Sequence, residues 1–172
     1  MAKGLELARP QAPSHLDESL STFYFVRHAK AGSRSHWTGD DRKRPLSQKG
    51  VKQADELVTI FANYDITAVC SSPYLRCMQT VEPIARAHKL KVQAEPGLAE
   101  GRGLEAAYRF FEDPKLDEVV LCTHGDIVWE LVEDLTKRRV LPAFREDFDK
   151  GSTWVVQVKG GVPVKARYIP AP

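Results

Sequence analysis

The sequence predicts an α/β fold, a three-layer α/β/α sandwich around a mostly parallel sheet with an antiparallel edge. Three observations lead there. Short apolar runs with strand preference recur at residues 23–26 (FYFV), 67–70 (TAVC) and 118–122 (EVVLC). Stretches with helical spacing alternate with them. A final pair of strands is divided by Gly160 and Gly161.

The first strand runs straight into Arg27, His28, Ala29 and Lys30, and the carboxyl end of a strand is where open α/β sheets place ligands. A neutral imidazole is a competent nucleophile toward phosphorus, and a guanidinium beside it can hold phosphate oxygens with two parallel hydrogen bonds. On this octapeptide alone, a strand followed by two surface polar residues is an equal reading. Residues 31–49 then form a long polar loop. Its Arg34, Arg42, Lys43, Arg44 and Lys49 either extend an anion site beyond one phosphate or simply face solvent.

Residues 47–62 place Val51, Ala54, Leu57, Val58 and Phe61 on one helical face behind Ser47 as N-cap. After the strand 67–70, Ser71, Ser72 and Pro73 signal a helix start, and Leu75, Met78, Val81, Ile84 and Ala85 share a face of that helix. Arg76 falls on its first turn, within reach of the His28 crevice. A weaker strand at 90–94 and a turn-rich passage, 95–103 (EPGLAEGRG), lead to a helix with Leu104, Ala107, Tyr108 and Phe111 inward. The buried strand 118–122 ends at Thr123, His124, Gly125 and Asp126, before a helix carrying Ile127, Val128, Leu131, Val132 and Leu135. His124 thus sits at a helix N-terminus, where free N–H groups favour anions. Strands at 153–158 and 164–169 make the terminal hairpin.

Composition narrows the function classes. With 172 residues, 42% hydrophobic and 28% charged, the chain is sized for one domain with a full core, here residues 21–172. Residues 1–20 lack the apolar segment of a secretory signal and are expected to be a flexible leader. The net charge of +2 argues for neither nucleic acid nor a membrane surface, and no apolar run is long enough to span a bilayer. Cys70, Cys77 and Cys122 lie in or beside apolar runs, as buried thiols of a reducing, cytoplasmic compartment do. No signal specifies an oligomeric state. His28, His124 and the cysteines lack metal-ligand spacing and stand beside arginines that repel a cation, so no metal or cofactor is expected. His15, His36 and His88 are taken as non-catalytic.

Arg27 with His28, Arg76, and His124 come from three junctions, and Glu100 from a fourth loop. At this point the chain resembles the histidine phosphatase superfamily, the phosphoglycerate-mutase-like enzymes whose motif after the first strand is Arg-His-Gly. Here it stands as Arg27-His28-Ala29, the variant of the small bacterial phosphohistidine phosphatases. RPLSQKGVKQA (44–54), SSPYLRCMQT (71–80) and CTHG (122–125) resemble further family motifs, in order, over roughly residues 22–160. The long loop and KGSTWVV (150–156) are also similar to the histidine-phosphatase domain fused to Nudix domains in some bacterial nucleotide hydrolases. That domain commonly lacks the second histidine, whereas His124 is present here.

The resemblance implies a phosphoglycerate-mutase-like sandwich and a metal-independent two-step phosphoryl transfer. His28 would become a phosphohistidine, with Arg27, Arg76 and His124 around the equatorial oxygens. Glu100, at the family's Leu-x-Glu position, would protonate the leaving group; Glu95, Glu105 and Asp126 are nearby alternatives. Arg34 and Arg44 would add substrate contacts. The implied substrate is a phosphorylated small molecule or a phosphoprotein, including protein phosphohistidine. Nucleotides or other polyphosphorylated molecules are one alternative, and a phosphate-binding module without turnover is another. A mutase of this family would carry long enclosing insertions, for which this chain is too short.

Overall fold

In the computed structural model, which describes residues 19–172, β1 (Leu20–Arg27), β2 (Ala68–Ser71), β3 (Val92–Ala94), β4 (Val119–Thr123), β5 (Thr153–Lys159) and β6 (Val162–Ile169) form one sheet. Their order is β3-β2-β4-β1-β5-β6. The first four in that order are parallel, whereas β5 and β6 run antiparallel at the other side. This is the expected mostly parallel sheet with an antiparallel edge. The turn between β5 and β6 is made by Gly160 and Gly161, both at positive φ (58° and 80°), the backbone of a two-residue type I′ connection.

Strand alternation builds two cores. Phe23 and Phe25 of β1 and Val119 and Leu121 of β4 face α3 (Leu104–Tyr108) and α4 (Gly125–Lys137), together with Trp154, Leu131 and Leu135. Tyr24, Val26, Val120 and Cys122 point the other way, onto α1 (Gln48–Phe61) and α2 (Leu75–Ala87) through Leu57, Phe61, Val81 and Ile84. Every residue of β4 is buried, because helices cover both of its faces. Each large side chain so buried contributes roughly 1.5–3 kcal/mol.

Several expectations change in detail. Ser47 does cap α1, accepting from Gly50 N at 3.2 Å, but Val51 is exposed and the inward face begins with Gly50 and Gln53. The reason is contact with backbone: a Cβ on Gly50 would stand 1.9 Å from the Lys30 carbonyl oxygen. In α2, Leu75 is exposed and the inward positions of the first turns are Arg76, Cys77 and Thr80: Cys77 joins the apolar core, while Arg76 bonds Asp41 and Thr80 accepts from Ala29 N. The helix expected through Phe111 is α3 followed by a 3₁₀ turn, Arg109–Glu112. The third strand shortens to Val92–Ala94. The leader falls on residues outside the described ones, except that Leu20 already pairs with Lys159 in the sheet. All three cysteines are buried and free. Among the described residues, no helix is long and apolar enough to cross a membrane.

Candidate active site

The carboxyl ends of β1 and β4, the first turns of α4 and several connecting loops open onto a cleft of about 690 Å³. Arg27, His28, Arg34, Arg44, Glu100 and His124 line it, with Lys30, Asp126, Trp129, Phe148 and Lys150. Arg76 stands behind this lining with no exposed surface and reaches it through Glu100.

His28 is held from both sides. Its backbone N–H donates to the Thr123 carbonyl at 3.0 Å, and Gly151 N donates to the His28 carbonyl at 3.2 Å. The ring Nδ1 lies 2.8 Å from the Ala29 carbonyl. A carbonyl only accepts, so Nδ1 carries the proton and Nε2 keeps its lone pair. Burial pushes the imidazole down to about 3, with His124, Arg76 and Arg27 adding to the shift against the Ala29 hydrogen bond. His28 is therefore neutral at ordinary pH, the form in which it can attack.

Around it stand cationic and donor groups. Arg27 donates from Nη1 to the Phe148 carbonyl at 2.8 Å, and its guanidinium packs against Gly125, where a Cβ would come within 2.8 Å of Cζ. Burial draws the Arg27 guanidinium below its usual value, opposed by Asp149 and Asp126. His124, the N-cap residue of α4, meets Ser72 Oγ at 2.8 Å through Nε2, and its ring lies 5.5 Å from that of His28, centroid to centroid. The Arg76 guanidinium lies 4.9 Å from the centre of the Tyr74 ring. It contacts Asp41 through both Nη atoms, at 2.9 and 3.2 Å, and Glu100 Oε2 at 3.5 Å.

Among the described residues, four buried side-chain polar atoms lack a hydrogen-bond partner: Arg27 Nε, Arg76 Nε, His124 Nδ1 and Thr153 Oγ1. Buried donors left unpaired cost about 1–3 kcal/mol each. Three of the four belong to side chains near enough to His28 to act on its titration, and two of these are guanidinium N–H groups that can donate to an anion. The field has the matching sign: burial and the neighbouring Arg27, Arg44, Lys30 and Arg34 all lower the Lys150 ammonium.

The structure thus brings Arg27, His28, Arg76, Glu100 and His124 together. Glu100 spans Arg34 (3.3 Å) and Arg76 (3.5 Å), while Arg44 is buried, committed to Asp41 and the Gly32 carbonyl at 2.9 and 2.6 Å. Of the alternative acids, Asp126 lines the cleft and accepts from Gly101 N at 2.8 Å; Glu95 and Glu105 are not among its lining residues. Sequence reasoning missed Asp41, Ser72, Trp129, Phe148 and Lys150. Ser72 stood in a recognised motif, and its place two residues after a buried strand was the available signal. His88 bonds the Phe61 carbonyl, His36 is exposed, and His15 lies outside the described residues.

A family model described as the histidine phosphatase superfamily (branch 1) matches residues 23–107. A protein named 8-oxo-(d)GTP phosphatase from Mycolicibacterium smegmatis is 35% identical over 158 residues, covering 88% of this chain and 48% of that protein. The chain therefore spans about half the length of this curated relative. Among solved structures, the protein histidine phosphatase SixA complexed with tungstate aligns with a TM-score of 0.70 at 18% identity, over 86% of this chain and 94% of that one. A phosphoglycerate mutase from Bacillus anthracis aligns with a TM-score of 0.64 at 15% identity, over 86% and 92%. These structural likenesses establish the shared fold.

Proposed function

The chain belongs to the histidine phosphatase superfamily, and on that footing we propose that it is a metal-independent phosphatase acting on phosphomonoesters or protein phosphohistidine through His28. The observation that carries this reading is a neutral imidazole with a free Nε2, with three buried nitrogens nearby that lack partners, two of them guanidinium N–H donors. Nε2 bonds to phosphorus as the bond opposite it breaks, to the leaving oxygen of a phosphomonoester or to the ring nitrogen of a phosphohistidine substrate. Arg27, Arg76 and His124 take the equatorial oxygens, where charge builds in the transition state, and so do the electrostatic work a divalent cation does elsewhere. Glu100 or Asp126 delivers a proton to the leaving oxygen. Water then attacks the phosphohistidine, its proton passing to the same carboxylate, and orthophosphate departs. Exposure of Trp129 (40%) and of the Arg34 side chain (65%) on the cleft supports free access of that water. The buried, unpaired cysteines support a cytoplasmic setting.

A second substrate reading, a nucleotide or another polyphosphorylated molecule, has its own support. Trp129 and Phe148 line the cleft beside Lys30, Arg34 and Lys150, which would suit an aromatic group carrying further anionic charge. The name of the Mycolicibacterium smegmatis relative points the same way. One assay series tests both readings. Hydrolysis of p-nitrophenyl phosphate should persist in EDTA and vanish in His28→Ala; an unchanged variant would refute the nucleophile. With a panel of sugar phosphates, nucleotides and a phosphohistidine protein, Trp129→Ala should selectively impair nucleotides if the second reading holds.

A further inference from the structure

Arg76 has no exposed surface, and a guanidinium buried that deeply needs acceptors whose positions decide which of its edges is left over. Asp41 supplies two of them. Its backbone carbonyl accepts from Nη1 at 2.9 Å, and its carboxylate oxygen Oδ2 accepts from Nη2 at 3.2 Å. Behind it, the buried Arg44 donates from Nε to Asp41 Oδ1 at 2.9 Å and from Nη1 to the Gly32 carbonyl at 2.6 Å. The Nε of Arg76 stays unpaired.

Two carboxylates therefore touch Arg76, and their settings differ. Glu100 lines the cleft, whereas Asp41 is not among the lining residues. An incoming phosphoryl group meets Glu100 and can displace it; Asp41 stays behind the guanidinium. Burial acts to raise the Asp41 carboxyl, but the hydrogen bond from Arg44 and the charges of Arg76, Arg44 and Arg34 outweigh it and hold the group below its usual range. The charge on the brace is thus kept at ordinary pH.

We propose that Asp41 is the positioning residue for Arg76: braced by Arg44, it clamps both Nη atoms of that guanidinium and leaves the unpaired Nε and the side of Nη2 that meets Glu100 for the phosphoryl group. The proposal rests on the phosphatase reading above. It also assigns Arg44 to the brace, with its charge felt by substrate through Asp41 and Arg76. A guanidinium released from this clamp keeps its charge but loses its angle, and bidentate or side-on recognition of an oxyanion depends on that angle.

The test is steady-state hydrolysis of p-nitrophenyl phosphate by Asp41→Asn, with inhibition by orthovanadate and a thermal melt on the same preparation. Orthovanadate reports the oxyanion cage without the chemical step. We expect kcat/KM to fall tenfold or more, orthovanadate inhibition to weaken by a similar factor, the melting temperature to fall but to stay above the assay temperature, and Asp41→Glu to recover part of the loss. A kcat/KM within twofold of wild type, or a loss with unaltered orthovanadate inhibition, overturns the proposal. Asp41→Ala, judged by the same two assays, takes its place if Asp41→Asn does not fold. His28→Ala run in parallel separates the two ideas. If that variant is dead while Asp41→Asn is fully active, only the positioning role fails; if it is active, the nucleophile assignment fails first.

Discussion

His28 shows what burial does to the side chain proposed to attack phosphorus. The folded imidazole stays neutral down to about pH 3, whereas in the unfolded chain it takes a proton near 6.5. Between those values the unfolded state binds more protons, so this residue makes the protein less stable as pH falls from about 6.5 toward 3. Urea unfolding at pH 7 and pH 4.5 should reveal it. The wild type should lose about 2–3 kcal/mol more than His28→Asn between the two conditions. Parallel losses in the two proteins would mean that His28 is not held neutral by the fold. Catalysis has the opposite dependence on the same fact, because a nucleophile already neutral at pH 5 sets no acid limb to the rate above about pH 4.

At the scale of elements, two glycines at helix starts separate stability from chemistry. Gly50, in the first turn of α1, lies against the Lys30 backbone, and a methyl group there would meet an oxygen that cannot swing aside. Gly50→Ala should therefore cost roughly 1–3 kcal/mol or more, lowering the melting temperature by several degrees. Gly125, the first residue of α4, meets only the end of the Arg27 side chain. Gly125→Ala should melt near the wild type yet lose tenfold or more in kcat/KM, because the displaced group is the Arg27 guanidinium, proposed to bind phosphate. Equal melting temperatures for the two variants would contradict this division. The same elements explain what could be inferred from sequence. Arg27, His28 and His124 stand at the ends of apolar strands and Arg76 follows a recognisable helix start, so the pattern put them at junctions, and the family motifs were needed to give them roles. Val51 and Leu75 were misplaced because helical spacing finds an apolar face without telling whether the first turn meets core, backbone or cleft. Asp41 acts from the 3₁₀ turn Asp41–Lys43 inside a polar loop, where nothing in the local pattern distinguishes it from Asp40.

Across the whole molecule, β1 lies between β4 and β5 and is paired along its length, with residues of both cores on its two faces. The proposed nucleophile thus follows directly on a central strand paired on both sides, while much of the cleft wall comes from connections. Native-state amide exchange should be slowest in β1 and β4 and faster in the edge strands β3 and β6. Protection in β3 equal to that in β4 would count against a sheet stabilised from its centre. The unpaired nitrogens of Arg27, Arg76 and His124 have a consequence for the resting protein. Orthophosphate, the product of the proposed hydrolysis, is a small anion rich in acceptors for such groups, and whatever binds the native state alone stabilises it. In a phosphate-rich solution the protein would then exist as a standing mixture of vacant and product-loaded molecules, more heat-resistant and slower to turn over as ambient orthophosphate rises.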